Sequence, residues 1–490
     1  MSLRLHGTIA LAFAVPLVVL LTSVRTSVGF WDTADLQTVA WIAGIPYPTG
    51  FPGYVVLGWL WTHVVPFASV AARLNALSAI AISVGSASIA ALALLFDVVP
   101  LIAVLGGWTF AFAHVVWLRG TYADVHPVGF AVAFVAFALA AGWTLRGDAR
   151  ALVSAILLAG FAVAIDNTTV LILAGGVVAS LGRRWPWRGT VSAAAVALVI
   201  VATAYAYLPL RSAYVTAHRL DPTLALGLPP GRPFWDDHHP ATAAGFHALV
   251  EGTEWGPGET LGHVVSPAAL RAAVDRFGVE VGDDEPQGLI VAALVGLGFI
   301  AARAPPIAIG LVLAALLPAL FGASYPAEAD PERYVFTAYA VGALGVAVAA
   351  DRTVRAFGRD APTTALAVVM SLLLIAVARD VVRARDLYAV RADTSAQALG
   401  ARVVASTRDG AVILAPWDWA TPLAYRAYVE RRFGRRILVC ALPRDYIEDY
   451  AGWSRDRQVA ILSEGLPNVP GYRFRLLSDG APQVYEIVSP

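Results

Sequence analysis

The chain has 490 residues, of which 58% are hydrophobic and only 14% charged, with no formal net charge and a mean hydropathy of +0.66. Soluble globular chains carry about 25% charged residues, so the deficit points to a membrane protein, and the zero net charge gives no footing for a nucleic-acid partner. Every basic residue is Arg, and Cys440 is the single cysteine, which excludes an intrachain disulfide and a cysteine-based metal cluster.

A transmembrane helix needs about 20 predominantly apolar residues. In chain order such runs predict spans at 8–24, 72–96, 98–118, 125–145, 150–165, 168–182, 189–208, 287–303, 305–322, 333–350 and 361–379, about eleven crossings. The 150–165 and 168–182 runs are short, and a single kinked element there would reverse the parity. No small-x-small cleavage pattern follows Val24, so the first run reads as an uncleaved helix rather than a signal peptide. The segment 53–66 is apolar and aromatic but too short to span; it suits a helix lying at the membrane interface.

Short loops with Arg146, Arg150, Arg183, Arg184, Arg188, Arg303, Arg352, Arg355 and Arg359 alternate with loops bearing Asp32, Asp35, Asp124, Asp166, Glu328, Asp330 and Glu332. The excess of Arg on cytoplasmic loops places the N-terminus inside and the acidic loops outside. The expected organisation is a transmembrane domain over 1–379, with a first extracytoplasmic loop at 25–71 and a long one at 209–286. A small extracytoplasmic α/β domain follows over 380–490. In it, 384–406 reads as an amphipathic helix, 411–414 and 437–440 as buried strands, and 421–433 as a helix between them. No internal repeat and no G-x-G-x-x-G, Walker or H-E-x-x-H motif is present.

Chemistry-bearing groups gather at the outward ends of the spans. Asp32 and Asp35 stand three apart after the first span, close enough to raise one another's pKa and suited to take a proton from an acceptor hydroxyl. The run from Gly44 to Tyr54, with three Pro and three Gly, makes a shaped loop rather than a linker. Further candidates for substrate contact are Arg73, Asp124, His126, Asn167, Tyr207, Arg211, Asp330 and Arg333. An Arg at a span end can hold a lipid phosphate through two hydrogen bonds or simply reach the interface. His238-His239 beside Asp236-Asp237 is a weak metal hint. No metal ligand set is legible, and a divalent metal beside the acidic cluster is left open.

These parts are compatible with sugar transfer from a polyprenyl phosphate. The donor already carries a phosphate leaving group, so the enzyme needs a base for the acceptor, a cation for the developing phosphate charge and a groove for the lipid tail. A transporter or flippase of lipid-linked saccharides, or a non-catalytic scaffold, is the alternative.

Phe30-Trp31-Asp32-Thr33-Ala34-Asp35-Leu36 followed by Gly44-Ile45-Pro46-Tyr47-Pro48-Thr49-Gly50-Phe51-Pro52 resembles the "WDSGEF…GIPHPPGYP" signature of the protein O-mannosyltransferase-like membrane proteins, a group comprising bacterial domain-of-unknown-function 2723 proteins and the animal transmembrane protein 260. Arg73-Leu74-Asn75, Tyr122 to His126, Tyr207-Leu208-Pro209-Leu210-Arg211, Trp235 to Pro240, Asp330 to Tyr334 and Trp417 to Tyr425 resemble later motifs of the same group. The resemblance implies a GT-C glycosyltransferase fold, a lipid-phosphate-sugar donor such as a mannosyl one, a catalytic acid in the first extracytoplasmic loop at Asp32 or Asp35, and a bacterial plasma-membrane location. The acceptor (protein, lipid or polysaccharide) stays open. Asp35 stands where the group has Glu, Asp124 and His126 replace its Glu and Tyr, and Thr168 replaces a His.

Overall fold

The computed structural model describes residues 3–253, 271, 274–275, 278, 286–324, 331–357, 361–442, 445–446, 449, 452–468 and 471–488. The helices in chain order begin with α1 (Leu3–Ser23), α2 (Trp31–Ile42), α3 (Pro52–Val64), α4 (Val70–Leu95), α5 (Pro100–Phe112) and α6 (His114–Arg119). Then come α7 (Val125–Arg146), α8 (Ala149–Ile165), α9 (Val170–Ser180), α10 (Trp187–Ala217), α11 (Ala243–Glu251) and α12 (Gln287–Arg303). The last are α13 (Pro305–Ser324), α14 (Phe336–Phe357), α15 (Pro362–Arg383), α16 (Ser395–Ser406) and α17 (Trp417–Ala424). The strands are β1 (Val412–Ala415), β2 (Ile437–Cys440), β3 (Val459–Ser463), β4 (Arg473–Ser478) and β5 (Gln483–Val488).

Among the described residues, six helices are long and apolar enough to cross a membrane: Leu5–Ser23, Val70–Leu95, Val125–Arg146, Trp187–Ala217, Pro305–Gly322 and Pro362–Ser406. Four shorter apolar helices accompany them. The chain is a polytopic α-helical membrane protein with a small C-terminal sheet domain. The eleven crossings expected from sequence are not all long enough to qualify by length and composition.

Several elements differ from the sequence reading. The run 98–118 is two helices, because Ala113 takes an extended ψ of 133° between α5 and α6. The pair at 150–165 and 168–182 is indeed two helices, α8 and α9, parted by a 3-10 turn over Asn167–Thr169 that Asp166 caps. The first loop holds an unexpected helix, α2, with Asp32 in its first turn. The amphipathic stretch 384–406 is broken before α16. Strands β3, β4 and β5 were not expected, and helix 421–433 instead starts at Trp417 and passes into a π-turn over Tyr425–Val429.

The chain divides into two compact units that cut across the expected boundary at 379/380. The first comprises residues 1–24, 75–204 and 254–390. Its helices are apolar on nearly all sides, so close packing rather than hydrophobicity selects their partners. Helices α9 and α13 cross at two glycines: a Cβ on Gly175 would lie 2.2 Å from the Gly310 carbonyl oxygen, and one on Gly310 would lie 2.4 Å from that of Gly175.

The second unit comprises residues 25–74, 205–253 and 391–490. Its sheet has the order β2-β1-β3-β5-β4, with β1 parallel to β2 and β3, and β5 antiparallel to both β3 and β4. The all-buried run Val412 to Ala415 is what a strand covered on both faces requires. Val39 of α2, Val55 of α3, Phe234, Leu399, Ile413 and Leu423 share one buried core, so the first loop and the long loop fold together with the C-terminal sheet.

Candidate functional site

In the second unit α2 presents Asp32 and Asp35 on its first turns. Asp35 is fully buried, and neither carboxylate oxygen has a hydrogen-bond partner among the described residues. Burial first, then the charges of Asp237 and Asp32, push its carboxyl well above the usual carboxylate range; the Tyr47 amide works weakly the other way. Asp32 is half-buried, and its Oδ1 accepts the indole N–H of Trp417 at 3.1 Å.

The far end of α2 is fastened by α10. The Tyr207 hydroxyl donates to the carbonyls of Ala43 (2.5 Å) and Gly44 (3.0 Å), and the Arg211 guanidinium donates to that of Ile42 at 2.9 Å. A cation at the last carbonyls of a helix is favourable for both hydrogen bonding and the helix dipole. Arg211 also lies over the rings of Tyr214 (5.3 Å) and Trp235 (6.0 Å), and its Nε is buried without a partner. Arg73 donates to the carbonyls of Thr62 and Val65 and stacks 5.7 Å over Trp41, so it caps α3.

Beyond α2 the chain meets the long loop. Ile45 pairs with Phe234 in an isolated antiparallel bridge, and a Cβ on Gly44 would lie 2.0 Å from the Phe234 carbonyl oxygen, so only glycine allows this approach. The bridge delivers Asp236 and Asp237 to the site, both nearly buried. Asp236 pairs with His239 at 2.7 Å and Asp237 with His238 at 2.8 Å, the ring N–H donating in each. Burial is the largest cause raising both carboxyl groups. Trp31, Ala43, Phe51, Phe234, His238 and His239 all have positive φ. Non-glycine residues rarely hold that conformation, and such strain concentrates at functional sites.

The carboxyl ends of the parallel strands turn toward the same groups. Trp417 follows β1, stacks parallel to Phe234 (5.9 Å, 9°) and meets Tyr47 edge-on at 6.0 Å. At the end of β2, the thiol of Cys440 is pushed up by burial and by the charges of Asp237, Asp35 and Asp418. Open α/β sheets bind ligands at this end of their strands. Trp417, Phe234 and Asp237 were not singled out as site residues by spacing, since they reach Asp32 and Asp35 only through tertiary contacts. The resemblance of Trp235 to Pro240 and of Trp417 to Tyr425 to family motifs pointed at Asp237 and Trp417, and the Asp236-Asp237-His238-His239 run at Asp237, whereas nothing in the sequence pointed at Phe234.

The other sequence candidates lie in the first unit. Asp124 caps α7, accepting the His126 amide at 2.9 Å, and lies 3.6 Å from Arg119. Arg119 is buried and also paired with Glu332. The His126 ring donates to Asp166 at 2.9 Å, and Asp166 accepts both the amide and the hydroxyl of Thr168. The Asn75 side chain accepts the Ala123 amide at 2.7 Å. These groups form one network in which Asp166, Arg119 and Glu332 join the expected Asp124 and His126. Asn167 opens the turn beside it, and Arg333 is half-buried in the turn Pro331–Tyr334. Asp330 lies outside the described residues. Among the described residues no group of three or more His, Cys, Asp or Glu side chains is arranged to hold a metal ion.

Residues 32–186 match the family model described as the N-terminal domain of protein O-mannosyl-transferase TMEM260. No curated protein matches the chain in sequence. Among solved structures, ArnT from Cupriavidus metallidurans in the apo state is similar, at 14% identity and a TM-score of 0.59, over 98% of both chains. The same protein bound to undecaprenyl phosphate gives 13% identity, a TM-score of 0.60 and the same coverage. The resemblance seen in the motifs is thus shown: over 32–186 in sequence, and over the whole chain as the GT-C glycosyltransferase fold.

Proposed function

We propose that the chain transfers a sugar from a polyprenyl-phosphate donor to an acceptor hydroxyl outside the cytoplasm, with Asp32 as the acceptor base. The observation that carries this is the unequal environment of two carboxyl groups on one helix. Asp35 is fully buried and its carboxyl is pushed well above the usual range, whereas Asp32 is half-exposed and held by an N–H donor. Carboxyl pairs forced into different environments mark acid and base roles. In the reaction the acceptor oxygen attacks the anomeric carbon, its proton passes to Asp32, and the bond to the phosphate oxygen breaks. The departing phosphate takes the electron pair, and Arg211, whose buried Nε has no partner, is the cation proposed to receive that charge. The sugar and the hydroxyl acceptor are suggested by the O-mannosyl-transferase family match, the lipid by the undecaprenyl phosphate of the ArnT structure.

The test is transfer from radiolabelled polyprenyl-phosphate mannose, followed by other polyprenyl-phosphate sugars, to a cell-envelope acceptor fraction by the purified protein in liposomes. D32N is expected to lower the rate at least about a hundredfold, the usual scale for a general base. D35N, which replaces a neutral acid by a neutral amide, is expected to keep most of it. Wild-type transfer by D32N would remove the base assignment.

A further inference from the structure

We infer that Trp417, carried by the C-terminal sheet domain, is a positioning residue for Asp32; this rests on the proposed role of Asp32 as base. The two residues are 385 apart in sequence, yet the Trp417 N–H lies 3.1 Å from Asp32 Oδ1. An indole N–H only donates, so it fixes the carboxylate's orientation without competing for the acceptor proton. Catalysis by a base requires its oxygen to stay within hydrogen-bond reach of the acceptor, and a donor on Oδ1 helps to hold the carboxylate in one orientation.

The indole is itself held. Phe234 backs one face in a parallel stack, Tyr47 meets the ring edge-on, and Trp417 starts α17 with one residue between it and β1, a strand flanked by β2 and β3. Eight residues on, the Tyr425 hydroxyl accepts the Ala71 amide at 3.0 Å, a second anchor. Tyr425 also opens the π-turn Tyr425–Val429, a helix irregularity often found at functional sites. Trp417 therefore comes to Asp32 from a rigid element.

W417F keeps an aromatic ring against Phe234 and Tyr47 but removes the N–H together with one ring of the indole. It is expected to lower kcat about tenfold or more, the scale of a misplaced catalytic group, while the KM for the polyprenyl-phosphate sugar stays within about twofold and the melting temperature holds. In a D32E background, where the carboxylate is already displaced, W417F should have little further effect, because the two residues act as one unit. W417H, which retains a ring N–H, should recover part of the rate, and it carries the same test if W417F does not stay folded. Wild-type kcat in W417F, a loss confined to KM, or an equal loss in the D32 and D32E backgrounds would each overturn the inference. Full activity in D32N would instead remove the reading it rests on.

Discussion

At position 35 the helix turns a carboxyl group into the buried interior of the unit, where the nearby Asp237 and Asp32 repel a charge. A buried ion in that setting costs several kcal/mol, so the group stays protonated instead. The folded-state pKa lies above the unfolded one. The stabilisation from a neutral Asp35 is therefore complete below the ordinary carboxylate range and is lost as pH rises through the raised value. Asp236, Asp237 and Asp221 are shifted the same way, so the titration belongs to the cluster and not to one residue. Melting temperature followed from acidic to alkaline pH should fall more steeply for the wild type than for D35N, and parallel curves would contradict a neutral Asp35. The pair was legible in the sequence because its spacing is local. The division of labour was not, since what sets it lies about 200 and 385 residues further along the chain, at Asp237 and Trp417.

Helices declare themselves by local pattern, and their ends by local caps. Asp124 before α7 and Asp166 before the Asn167–Thr169 turn are such caps, which is why those boundaries fell near their expected places. The segment expected to lie at the interface is the helix α3, and Val56, Trp59, Leu60 and Val64 are exposed along one of its faces, an apolar face of the kind such a helix needs. Helix α2 was hidden because its buried residues run from Ala34 to Ala40 and include Asp35, Gln37 and Thr38, so no apolar stripe betrays it. Helix partners in an apolar medium were equally illegible, for they depend on where two backbones can approach. At the α9–α13 crossing, Gly310→Val would force a side chain into the facing backbone. Overpacking of this kind costs roughly 1–3 kcal/mol, and a lower melting temperature in detergent should show it, with Gly298→Val, where a Cβ meets nothing within 4 Å, as the silent control.

At the scale of the molecule, the second unit sets a condition on membrane topology. Its three segments, 25–74, 205–253 and 391–490, fold into one body and must all lie on one side of the membrane. The sequence had assigned each of these regions to the extracytoplasmic side from Arg placement alone. An even number of crossings must therefore separate each segment from the next. Between the first two lie α4, α5, α7, α8, α9 and α10, and the condition holds if α8 and α9, of 17 and 11 residues, either both cross or both do not. Between the second and third lie α12, α13, α14 and α15. Here α12 and α14, neither of them among the long apolar helices, must cross together or not at all, and the last two turns of α14 bear Asp351, Arg352 and Arg355. If all of these helices cross, α1 brings the total to the eleven expected from the sequence, with the N-terminus inside. In a Cys440→Ser background, Arg473→Cys should react with a membrane-impermeant maleimide on intact cells, whereas Arg184→Cys and Phe357→Cys, both at exposed positions, should react only after lysis. Labelling of Phe357→Cys from outside would contradict the arrangement of eleven crossings.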